Sequence, residues 1–97
     1  MMTTHNTLYH VKDGYMVEDI AGKYVLMAPA IGDIDYSKML VLSESAAFVV
    51  NHIIAESLSH EALVKLLLNE YDVDSALVEE ELTSLMSALT RLNVLEQ

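Results

Sequence analysis

Ninety-seven residues, 53% of them hydrophobic, are one domain's worth of chain and enough to bury a core unaided. Fifteen Asp and Glu against five Lys and Arg leave a formal charge of −10, which repels nucleic-acid phosphates and anionic lipid surfaces alike. The absence of Cys excludes a disulfide framework and thiolate chemistry, and the longest apolar run, five residues, falls far short of the ~20 a membrane-spanning helix needs.

The opening stretch MMTTHNTLYHVKDGY lacks the unbroken apolar core of a signal peptide, which points to a cytoplasmic protein. Residues 1–13 are polar and mixed, and read as a frayed or partly ordered N-terminal arm ahead of a single domain over 14–97. From Tyr15, β-branched and aromatic residues flank Ala21-Gly22, the place for a tight turn. The pattern predicts a hairpin of strands over 15–20 and 23–28. Pro29 removes a backbone donor and ends the second strand, and AIGDIDYS reads as a loop. A third, short strand follows from Lys38 to Leu42.

Ser43 is a good N-cap, and Glu44 places negative charge at the positive end of a helix dipole. Ala46, Ala47, Val49, Val50, Ile53, Ile54 and Leu58 then recur as one buried face of a first helix. Ser59 caps a second helix with Ala62, Leu63, Leu66 and Leu67 on its stripe, interrupted at Tyr71-Asp72-Val73. Asp74 caps a third, with Val78, Leu82, Leu85, Met86, Leu89 and Leu92 aligned and Glu79, Glu80 and Glu81 expected near its N-terminal end; it stops near Asn93. The order β-β-β-α-α-α makes an α+β unit.

The hairpin YMVEDIAGKYVLMAP, the strand-to-helix stretch MLVLSESAAFVVNHI, the segment ALVKLLLNEYDVDSALVEEEL and the ending LMSALTRLNVLE together resemble the PqqD-like family. These small domains are also called RiPP recognition elements, after ribosomally made, post-translationally modified peptides. The pieces are mostly apolar spacing, and their order and distances over residues 15–96 carry the resemblance. It implies a winged helix-turn-helix, with a three-stranded antiparallel sheet followed by three helices. It also implies a peptide chaperone or adaptor with no catalytic residues and no cofactor. Such a domain binds the leader segment of a precursor peptide and presents it to a maturation enzyme, often a radical SAM protein. In the family the leader adds as an extra strand beside the third strand, held from the other side by the third helix.

Carried onto this chain, the resemblance makes Lys38, Met39, Leu40, Val41 and Leu42 the receiving edge. At 100° per residue, Leu77, Glu81, Ser84, Ala88 and Arg91 flank the buried stripe of the third helix, and small Ser84 and Ala88 leave room for a groove. The opposite flank carries Glu79 and Met86. Two departures from the family stand out. Ser43 replaces the common capping Asn and serves the same role. Many leaders of the family are acidic and meet basic side chains, whereas this domain carries −10, with only Arg91 and Lys38 as cations near the expected groove. Either the cognate peptide is neutral or basic, or the domain serves another partner.

Other chemistries are less well supported. His52 and Glu56 stand at i, i+4 with His60 and Glu61 close behind, but no third ligand follows at a metal-site spacing. No nucleophile sits in a motif such as G-x-S-x-G. A winged-helix regulator would need base-reading and cationic side chains on its third helix, which offers three glutamates and one arginine. A docking module that grips an enzyme without any leader peptide would use the same strand edge, and an open edge also offers itself to a second copy.

Overall fold

The structure, a computed structural model, describes residues 7–28 and 39–96. The element order is β1 (Leu8–Tyr9), β2 (Met16–Ile20), β3 (Lys23–Met27), β4 (Leu40–Leu42), α1 (Glu44–Ala55), β5 (Leu58–Ser59), α2 (His60–Glu70) and α3 (Ser75–Arg91). Strands β2, β3 and β4 form an antiparallel sheet in that order, and β1 pairs with β5 in a separate two-stranded ribbon. The α+β expectation of a three-stranded antiparallel sheet and three helices therefore holds. Pro29, the 30–37 loop and Lys38 lie outside the described residues.

The hairpin turns at Ala21-Gly22 with φ of 54° and 85°, the double positive φ of a type I′ turn. Asp19 Oδ1 accepts from the Gly22 N–H at 3.1 Å and steadies it. Two helix starts follow the expected cap chemistry: Ser43 Oγ accepts from Ala46 N–H and Ser59 Oγ from Ala62 N–H, each at 3.1 Å. Asp74 occupies the third N-cap but makes no side-chain cap bond. Glu79, Glu80 and Glu81 lie beyond the first turn of α3, which has no acidic residue, so the dipole does not account for them. At the other end Asn93, at φ 59°, reverses the chain, with Asn93 N–H donating to Thr90 O and Val94 N–H to Leu89 O. That is a Schellman stop, sealed by the fully buried pair Leu89 and Val94.

Two sequence expectations are corrected. Helix α1 ends at Ala55, so Leu58 belongs to β5 instead of the α1 stripe. Residues 8–12 belong to the packed domain instead of a loose arm. Val11 is 2% exposed, pairs with Leu95 and donates its N–H to Ile53 O at 3.0 Å, while Lys12 N–H donates to Val94 O at 2.9 Å. A two-residue strand paired to a distant one has no periodicity to read, and a lone buried valine in a polar stretch gives no pattern.

The core gathers Leu26 and Leu42 from the sheet, Val50 and Ile53 from α1, Leu63 and Leu67 from α2, and Val78, Leu82 and Leu89 from α3. The apolar stripes expected of the three helices converge here, with Leu85 and Leu92 at its margin. No helix among the described residues is long and apolar enough to cross a membrane.

Candidate functional site: an open strand edge beside α3

Strand β4 has β3 on one side only among the described residues. Which of its backbone groups are free follows from the hairpin. The two-residue turn makes Ile20 and Lys23 a hydrogen-bonded pair, and bonded and non-bonded pairs alternate along an antiparallel ladder. Tyr24 and Leu26 therefore turn their backbone groups toward β4, opposite Leu42 and Leu40. Val41, opposite Val25, turns its N–H and C=O to the outer edge. Val41 is 66% exposed, the highest value among the exposed large hydrophobics of the described residues.

That edge opens into a groove of about 540 Å³ between β4, the start of α1 and one flank of α3. Leu40, Val41 and Leu42 form one wall and Leu77, Glu81, Ser84 and Ala88 the other, so seven of the residues expected from the sequence share one cavity. Met39 and Arg91 are described but do not line it, and Lys38 lies outside the described residues. The opposite flank of α3 is engaged elsewhere: Met86 is buried and Glu79 Oε1 lies 2.6 Å from His60 Nε2, joining α2 to α3.

Sequence reasoning missed the floor. Ala46, Val49, Leu67, Leu82 and Leu85 line the groove beneath the two walls. The signal was present for Leu85, which stands one position from Ser84 and one turn from Glu81 and Ala88. Val49 and Leu67 read as ordinary core positions, because burial under a groove and burial in a core give the same periodicity.

A second hollow of about 300 Å³ continues past the end of β4, lined by Ser43, Glu44, Ser45, Leu67, Tyr71, Val73, Leu77, Val78 and Glu81. Tyr71 packs edge-on against Phe48 with ring centroids 5.8 Å apart. Its phenol is held above the ordinary value, first by partial burial and then by the carboxylates of Glu44 and Glu70. Glu80 and Glu81 line the groove, Glu44 and Glu81 the hollow, and among the described residues no Lys or Arg lines either. His52 is occupied structurally: its Nδ1 donates to Phe48 O at 2.8 Å, its ring 4.5 Å from that of Phe48.

Among the described residues the arrangement offers the outward backbone N–H and C=O of Val41, an apolar floor and an acidic rim. Neither a curated protein nor a solved structure matches the chain. The family model for coenzyme PQQ synthesis protein D (PqqD) matches residues 22–95, from the turn of the hairpin to the strand-like bridge at Leu95, and the chain belongs to that family.

Proposed function

We propose that this protein is a non-catalytic adaptor that captures the leader segment of a ribosomally made precursor peptide by strand addition and presents it to a modifying enzyme. The observation that carries the reading is the outward-facing Val41 backbone beside an apolar groove. An incoming strand would satisfy the Val41 N–H and C=O, and its alternate side chains would fall on Leu85, Val49 and Leu67. Membership of the PqqD family, named for coenzyme PQQ synthesis, supports an accessory role beside a partner enzyme. The hairpin, the β4-to-α1 junction and the α2/α3 pair support a winged helix-turn-helix reading of the fold. The partner enzyme, a radical SAM protein in many members of such systems, would act on the presented peptide in the cytoplasm.

A nucleic-acid role is disfavoured by α3, whose exposed residues include Glu79, Glu80 and Glu81 against Arg91 alone. The test is an isothermal titration of the protein against synthetic N-terminal segments of the short open reading frames beside its gene. Micromolar binding to one segment supports the adaptor. Binding to a neighbouring enzyme with no segment bound would favour a docking module that works without a leader.

A further inference from the structure

We infer that the occupant of the groove is a basic segment, an extended stretch whose alternating aliphatic side chains fill the floor and whose Lys or Arg residues lie over Glu44, Glu80 and Glu81. The inference rests on strand addition at β4 and adds the chemistry and the orientation of what binds there.

Three features carry it. The first is the distribution of charge. Among the described residues no cation lines the groove or its continuation to oppose their carboxylates, and Lys12, Lys23, Lys65 and Arg91 all lie off both linings. Glu79, the remaining member of the α3 triplet, is occupied by His60, whereas no ion pair engages Glu44, Glu80 or Glu81 among the described residues. An acidic segment entering here would meet repulsion along its length.

The second feature is asymmetry. Glu81 lines both cavities and Glu44 lines the hollow, so the carboxylates collect where β4 hands over to α1. Ser84 and Ala88, further along α3, add no charge to the groove. The Tyr71 phenol, raised first by burial and then by the carboxylates of Glu44 and Glu70, lines the same hollow as Glu44. A segment with cations at one end and aliphatic residues through its middle is therefore oriented as well as held.

The third feature is the spacing. Leu40, Val41 and Leu42 expose one free N–H and C=O pair at Val41, the pattern a single added strand completes. A strand's side chains alternate with a period of two, so every second residue reaches Leu77, Leu85 or Val49, and a long Lys or Arg beyond them reaches the rim. A second copy of this chain is the poorer occupant, because pairing β4 with β4 sets one acidic rim against another on chains that each carry −10.

The test is selection of a displayed random-peptide library on the full chain, in parallel with Val41→Pro and with the double variant Glu80→Gln/Glu81→Gln. Both glutamates are exposed, so the double variant keeps the fold. The expected winners carry alternating aliphatic residues with Lys or Arg at one end and are lost on Val41→Pro. Resynthesised, they bind the double variant about twofold to fivefold more weakly per carboxylate removed, and less tightly at high ionic strength. Winners that need Val41 but show no cationic bias, or that bind the double variant equally well, overturn the inference and leave strand addition standing. Winners indifferent to Val41→Pro, or no winners at all, overturn both.

Discussion

His10 Nδ1 lies 3.1 Å from the Glu96 carboxylate, a contact that ties the first strand region to the last residues across 86 positions of sequence. Glu96 N–H also donates to His10 O at 2.8 Å, so backbone and side chain both close the loop. The hydrogen bond to Glu96 raises the His10 pKa above 6.5, against a smaller opposing effect of desolvation, with Asp13 and the Ile54 backbone adding in the same direction. A raised folded-state pKa stabilises fully below the unfolded value and is lost as pH rises through the folded one. The stability difference between the protein and His10→Gln, measured by urea unfolding, should be larger at pH 6 than at pH 8.5. A difference that grows with pH contradicts the pairing.

Val11 should behave as a core residue. Val11→Ala removes two buried carbons from a 2% exposed site and should cost about 2 kcal/mol, a fall in Tm of about 10 °C for a domain of this size. If Val11 were part of a loose arm, Tm would stay within a degree of its original value.

The turn offers a gain in stability. Ala21 holds φ 54° with its side chain in solvent, a conformation that costs alanine and suits asparagine. Ala21→Asn creates the Asn-Gly pair favoured in type I′ turns and should stabilise by about 0.5–1 kcal/mol, seen as a Tm rise of a few degrees. An unchanged or lower Tm would argue against this turn geometry.

Ser84→Trp tests the wall of the groove. Ser84 is exposed and lines the cavity opposite β4, so an indole there fills space without disturbing the core. Peptide binding should fall by at least tenfold in titration while stability stays within about 0.5 kcal/mol. Equal affinity in both proteins would move the site elsewhere.

Much of this was legible in the sequence where local chemistry acts alone. Ser43 and Ser59 cap helices because a hydroxyl meets an amide three residues on, and the hairpin turns at Ala21-Gly22 because Gly22 accepts positive φ without strain. The helical flank of Leu77, Glu81, Ser84 and Ala88 was legible because it is fixed by 100° per residue. What depends on distant pairing was not. The β1–β5 ribbon and the Val11–Leu95 bridge join residues about fifty and eighty-four positions apart through very few contacts. The groove floor was hidden for another reason, since Val49 and Leu67 follow the same stripe whether a core or a cavity lies above them. The different fates of Glu79 and of Glu80 and Glu81 needed the position of His60, which only the packing of α2 on α3 supplies.

The central claim is that a peptide strand adds to the Val41 edge, and the most direct measurement is amide hydrogen exchange at Val41 by nuclear magnetic resonance, with and without a saturating segment that binds in titration. Strand addition predicts that the Val41 amide exchanges freely in the free protein and becomes protected on binding, while the Leu40 and Leu42 amides, already paired to β3, change little. Tight binding that leaves the Val41 amide exchanging as before would contradict it.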